Sequence, residues 1–275
     1  MKWLHFILSH SIFIAICAVA MAFQTALLLH VDIDGYLYGF IFFATLCSYN
    51  FYWILSALAF KKKLSVQVLK NYYTNFLVLL IAAAGDVFCI LKIDGILPLA
   101  AISVLLTLLY ALPLLPFSWL NFARKAGVIK TTLLSFTWAF VTVYLPYKVS
   151  GVQHFQSFLM LFNNRFLFMM MLCIIFDNRD MEVDKLRGLR SLATDVSPRA
   201  LHYIMMFIFT AYIINGVVFR LWYGELQQLF PFLLMGFICI LVYGYSRRKQ
   251  GYLFYYFITD GLMLLSSLLT ILASI

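Results

Sequence analysis

The sequence predicts an all-α fold, a polytopic membrane protein built as one domain, a bundle of nine transmembrane helices over residues 1–275. Three observations carry this. Of the 275 residues, 64% are hydrophobic and 11% charged, where soluble domains run to about half and about a quarter. The apolar residues fall into nine runs, each near the roughly 20 residues a helix needs to cross a bilayer core. Lysine and arginine gather at alternate ends of those runs, the mark of cytoplasmic loops.

The first run, residues 4–29, follows Lys2. Its small residues Ala18, Ala20 and Ala22 also suit a cleaved signal peptide. The run stays apolar to Leu29, long enough to span, and is read as a retained helix. An outer turn with Asp32 and Asp34, which lacks the further ligands of a calcium loop, leads to the second run, 37–60. Lys61, Lys62, Lys63 and Lys70 mark the inner side before the third, 72–91. Lys92 lies in the outer turn before the fourth, 96–115, and Arg124, Lys125 and Lys130 form the next basic inner segment before the fifth, 131–147. Lys148 lies outside, ahead of the sixth run, 158–176. A long polar inner segment, 177–199, separates it from the seventh, 201–222. The eighth, 229–245, ends at the inner triplet Arg247, Arg248 and Lys249, and the ninth covers 252–271.

With this alternation only Lys92, Lys148, Arg165 and Arg220 of the 20 basic residues fall on the outer side. The formal net charge of +9 is therefore a topology signal, not a nucleic-acid footprint. The N-terminus is expected in the cytoplasm and the C-terminus on the outer side of the cell (inner) membrane. Disorder is excluded by 28 Phe and 17 Tyr. The five cysteines lie in separate apolar runs with no CxxC pair, and the five histidines show no ligand spacing, so neither a disulfide framework nor a zinc site is expected.

The chemistry concentrates in the inner segment after the sixth run. Asp177, Asp180 and Asp184 are spaced i, i+3, i+7. If the helix continues through them, the three carboxylates share one face. Clustered carboxylates repel unless a cation sits among them. Mg2+ takes few carboxylates, keeps waters and bridges to phosphate oxygens, so a diphosphate at the inner membrane surface would suit the site. The bland alternative is a charged helix face balanced by Arg179, Lys185, Arg187 and Arg190; Glu182 lies off the acidic face and reads as solvated. Inside the runs, Asp86 and Asp260 are ionisable groups at hydrocarbon depth, costly there, and either line a pocket or make a helix–helix hydrogen bond. Arg165 lies 12 residues before Asp177, too far along a helix to reach a diphosphate there.

The segment Asp177-x-Arg179-Asp180-x-x-x-Asp184, followed by Gly188-x-Arg190-Ser191-Leu192, resembles the second aspartate-rich motif of the UbiA-type intramembrane prenyltransferases. Val183 stands where that family usually has Gly, and Ala193 where Pro is common. The nine-helix plan and the Tyr110-Ala-Leu-Pro113 ending of the fourth run match as well. The close match covers about 20 residues. The resemblance implies two aspartate-rich loops facing each other at the cytoplasmic mouth of a helical cavity. They would hold Mg2+ and the diphosphate of a polyprenyl donor, with a lipophilic or aromatic acceptor and the prenyl tail among the helices.

The first aspartate-rich motif is lost. Asn50 remains, but the aspartate positions are Phe51, Ile54 and Leu58. A transferase with one Mg2+ on Asp177, Asp180 and Asp184 would then rely on cations in place of the second metal. Arg124, Lys125 and Lys130, with Asn50, are the expected diphosphate-binding residues; Lys61–Lys63 also lie at this mouth, although the positive-inside rule alone explains them. A catalytically inactive isoprenoid-binding or scaffold protein is the alternative. A transporter is a third, against which stand the lack of a repeat and the densest charge lying at the rim. The topology is tested directly: a reporter fluorescent only in the cytoplasm should be silent after Ile275 and bright when placed before Met1, and the reverse pattern would refute the orientation.

Overall fold

The computed structural model describes residues 2–60, 73–114, 127–151, 154–223 and 226–275. The described residues are helical throughout, without a strand. In chain order the helices are α1 (Lys2–Ser9), α2 (Ile12–Leu29), α3 (Gly35–Phe60), α4 (Tyr73–Ile90) and α5 (Leu97–Ala111). There follow α6 (Gly127–Val149), α7 (Phe155–Arg187), α8 (Leu192–Asp195), α9 (Pro198–Trp222), α10 (Leu229–Ser246) and α11 (Phe254–Ser274). Among the described residues nine of these, all but α1 and α8, are long and apolar enough to cross a membrane. The protein is an integral, multi-pass membrane protein.

The helices form a ring. α2 packs between α3 and α11, α3 against α4, α7 against α6 and α9, and α10 closes toward α11. The main apolar core draws on all of these walls, with Met21, Phe40, Met171, Ile174 and Met205 almost fully enclosed. Without a hydrophobic drive between helices in lipid, such packing and interhelical hydrogen bonds hold a bundle together. Arg165 is buried and donates from Nη2 to the carbonyl of Met21 (3.2 Å) and to Thr25 Oγ1 (3.3 Å). It ties α7 to α2, well away from the acidic segment.

Two elements differ from the sequence expectation. The first apolar run is not one helix: it breaks at Ser11, whose φ of 63° is left-handed. A break at membrane depth leaves backbone groups needing partners. Asn50 supplies one, donating from Nδ2 to the carbonyl of His10 (3.0 Å) and to that of Leu46 (2.9 Å), while its Oδ1 accepts from Asn75 Nδ2 (3.1 Å). Asn50 thus knots the α1–α2 break, α3 and α4.

The sixth run, in turn, does not stop at Phe176. α7 continues 11 residues further, to Arg187, because Met, Glu, Lys, Leu and Arg are good helix formers. It ends at Gly188, whose φ of 66° suits glycine. The N–H groups of Gly188 and Leu189 close on the carbonyls of Lys185 and Asp184 (3.2 and 2.9 Å). Ser191 and Thr194 then form a reciprocal cap on α8, and Ser197 caps α9, accepting from Ala200 N–H at 3.2 Å. The extension is what puts Asp177, Asp180 and Asp184 on one continuous helix.

Asn50→Leu removes all three bonds of the knot, and interhelical hydrogen bonds in membranes contribute roughly 0.6 to 1.7 kcal/mol each. The expected outcome is a thermal unfolding midpoint in detergent several degrees lower; an unchanged midpoint would show that the knot holds nothing.

Candidate functional site at the inner mouth of the helical cavity

A cavity of about 860 Å³ runs through the bundle, lined by α2 to α7 and α11. One end of it is charged: Lys130 and Thr131 of α6 face Asp177, Arg179, Asp180 and Asp184 of α7. All three aspartates singled out by spacing line this one mouth, as a shared helix face requires. Each carboxylate has a different partner. Asp177 Oδ2 accepts from the Thr131 hydroxyl (2.5 Å) and from the Leu192 N–H (3.3 Å), so it joins α6, α7 and the turn after α7. The approach of α6 to that turn depends on Gly127. A Cβ there would meet the backbone of Ser191 and the carboxylate of Asp195.

Asp180 takes both of its bonds from one guanidinium, Arg179 Nε and Nη2, each at 2.7 Å. The Arg179 guanidinium is in turn enclosed by three rings, Phe176, Tyr255 and Tyr256, at 4.8–5.0 Å from their centres. Arg suits such a stacked, bidentate place and Lys does not. Asp184 lies 3.8 Å from the Lys130 ammonium, which also stands 5.9 Å over the Tyr110 ring. Lys130 is thus a positive charge built into the acidic rim. Glu182 is exposed and off the cavity wall, as its spacing suggests.

Above the mouth the cavity has two unlike walls. Trp138, Phe176, Tyr255, Tyr256 and Met263 make one side largely apolar and aromatic. On the other, Thr45, Ser48, Ser103 and Thr107 bring hydroxyls, with Ser48 and Thr107 paired at 3.2 Å. Asp86 lies on this wall with a buried Oδ1 that has no hydrogen-bond partner. Asp260 lies on the α11 side, 6% exposed, and follows a π-helical stretch, Phe254–Thr259.

Of the other residues expected at the site, Asn50 is absent from the cavity wall; its amide is spent on the knot described above. Arg124 and Lys125, and Lys61–Lys63, lie outside the described residues. Phe51, next to Asn50, lines the cavity instead. Sequence reasoning missed Thr131, because a hydroxyl inside an apolar run gives no signal until its partner Asp177 is known. Tyr255 and Tyr256 were missed for the same reason, their partner being Arg179, three spans earlier in the chain.

Among the described residues no group of three or more His, Cys, Asp and Glu side chains lies close enough to enclose a metal ion. The donor chemistry fits Mg2+ nonetheless. That ion binds through one or two carboxylates plus substrate phosphates and keeps its waters. Asp177 and Asp184 are the two carboxylates on the rim not locked by the Arg179 fork.

No protein-family model matches the chain, and no curated protein matches it. Solved structures do match. The chain is similar to the apo structure of a UbiA homologue from Aeropyrum pernix K1, with a TM-score of 0.67 and 13% identity over 94% of this chain and 96% of that one. It is also similar to a digeranylgeranylglyceryl phosphate synthase studied in membranes, with a TM-score of 0.61 and 16% identity over 100% of this chain and 99% of that one. The chain has the fold of the UbiA-type intramembrane prenyltransferases over its whole length.

Arg179→Lys keeps the charge but loses the fork and the flat stacking. The expected result is a drop of about 1–2 kcal/mol in stability, read as a lower unfolding midpoint in detergent. A variant as stable as the parent would mean that the three-ring enclosure is incidental.

Proposed function

We propose that this UbiA-fold membrane protein moves a prenyl group from a polyprenyl diphosphate to a lipophilic or aromatic acceptor within the bilayer. The observation that carries the reading is the cavity itself: an interior with one largely apolar, aromatic wall that ends in a rim of three carboxylates, an arginine and a lysine. A diphosphate carrying a long apolar tail is the ligand class whose two ends match those two environments.

Asp177 and Asp184 would hold Mg2+ brought in with the diphosphate, and Asp180 would join them on release from Arg179. Bound there, Mg2+ supplies positive charge to the departing diphosphate. The chain's own residues do the rest. Lys130 offers an ammonium to the phosphate oxygens at the place where the lost first motif would have offered a second metal. Arg124 and Lys125 add to the same inner basic segment. Thr131 and the Leu192 N–H hold the Asp177 carboxylate in one orientation, so little reorganisation is needed when charge develops. The aromatic wall excludes water from the prenyl carbon, which keeps hydrolysis from competing with transfer. The mouth opens to the cytoplasm in the topology read from the basic residues, and the protein sits in the cell (inner) membrane as a single unit over residues 1–275.

A second reading has a specific observation behind it. Phe51 fills a lost aspartate position on the cavity wall, and Ile54 replaces another. Such a chain could bind isoprenoid without turnover. Purified protein given labelled polyprenyl diphosphates of several lengths with Mg2+ separates the two. The expected result is release of diphosphate by the parent and at least a hundredfold loss in Asp177→Ala and Asp184→Ala. Binding without release in the parent would establish the inactive form, and neither binding nor release at any length would refute both.

A further inference from the structure

One buried charge in the cavity has no role in the account so far. Asp260 belongs to α11, is 6% exposed and lines the cavity. Among the described residues no side chain or backbone N–H donates to its carboxylate. Its own backbone carbonyl accepts weakly from Cys17 Sγ at 3.5 Å. An unpartnered carboxylate at hydrocarbon depth is costly, and such groups mark binding or transfer sites by default.

Its place in the fold is informative. It begins the α-helical part of α11, directly after the π-helical residues Phe254–Thr259. There Thr259 Oγ1 reaches back to the Phe254 carbonyl (3.2 Å), a bond that helps hold the widened turn. Such π stretches recur at functional sites because they re-aim the side chains that follow. Tyr256, four residues earlier, packs on Arg179 at the mouth. Asp260 therefore stands about one turn, ~6 Å, deeper than the diphosphate rim. That is the depth at which the first carbon of a prenyl chain would lie if its diphosphate sat on the rim.

One cation acts on Asp260, Arg179, whose Nε and Nη2 are already taken up by Asp180. Tyr49 of α3, Cys17 of α2, Cys173 of α7, and Tyr252 and Tyr256 of α11 complete the titratable surroundings. None of these five brings a positive charge. Tyr49 and Trp138, an edge-to-face pair at 6.3 Å, line the same cavity. A carboxylate in a cavity that also presents aromatic rings is an environment for a cation.

We propose that Asp260 is a cation-facing carboxylate. It stabilises the positive charge that develops on the prenyl carbon and then takes the proton that the acceptor gives up. In this step the bond from the prenyl carbon to the diphosphate oxygen breaks, and the electron pair leaves with the diphosphate. An electron pair of the acceptor, from a hydroxyl, amine or aromatic carbon, forms the new bond to that carbon. The acceptor's proton passes to the Asp260 carboxylate. The inference rests on the prenyl-transfer reading for its chemistry, but the cation site itself can be tested without turnover.

The test uses the full-length protein in detergent and two probes of nearly equal shape: geranyl trimethylammonium and its uncharged isostere, with carbon in place of nitrogen. Binding is measured with and without inorganic diphosphate and Mg2+. The parent should bind the ammonium at least tenfold more tightly than the isostere. Asp260→Asn should lose that preference, and Asp260→Glu should keep most of it. Equal affinities of the parent for the two probes would overturn the proposal, and so would an undiminished preference in a folded Asp260→Asn. If Asp260→Asn does not fold, the parent comparison alone still decides. A charge preference that depends on Asp260 but gains nothing from diphosphate would leave the cation site standing and refute prenyl transfer instead.

Discussion

The site depends first on one carboxylate. Asp177 Oδ2 accepts from the Thr131 hydroxyl and from the Leu192 N–H, and these bonds join α6, α7 and the turn that follows α7. In a low-dielectric interior a carboxylate with two donors is held firmly in one orientation. Around that joint the other rim groups fall into place. Lys130 is one residue before Thr131 and reaches Asp184 across the mouth. Gly127, one turn earlier on α6, lets the helix approach Ser191 closely enough for Asp177 to be met. The turn itself is fixed by the Gly188 cap and the Ser191–Thr194 box.

The second constraint is the α3 side of the mouth, where Phe51 lines the cavity. Among the described residues the acids of the rim lie on α7 alone. A diphosphate brings several negative charges, and a rim with fewer acids needs fewer cations to accept it. Lys130 answers part of that need without a metal, since an ammonium binds phosphate as a point charge. The rim is thus asymmetric: carboxylates on α7, a lysine on α6 and aromatic rings on α3, α7 and α11.

Most of the fold was legible in the sequence because membranes leave few choices. Backbone groups must be satisfied within the helix, so nine apolar runs become nine spans, and their ends agree with the helices to within several residues. The exceptions are where side chains rescue the backbone or cap it. The break at Ser11 needs Asn50 from another helix, a pairing that no local pattern announces. The continuation of α7 to Arg187 was readable only as a condition, since charge spacing shows a helix face without showing that the helix is there. At the site, the three aspartates were legible because their spacing is local. Asn50 was legible only in part: a polar residue in a span signals a partner but not which one, and here it bonds two backbone carbonyls and Asn75. Thr131, Tyr255 and Tyr256 were invisible because their roles exist only through contacts between distant segments.

The central claim is that the α7 carboxylates and Lys130 form a diphosphate site completed by one divalent cation. Calorimetric titration of inorganic diphosphate into the purified protein, at a series of Mg2+ concentrations, tests it most directly. Affinity should rise with Mg2+ and level off at one diphosphate per chain, and Asp184→Asn should abolish the Mg2+ dependence. Equally tight binding in the presence of a chelator, or no binding at any Mg2+ concentration, would contradict the account.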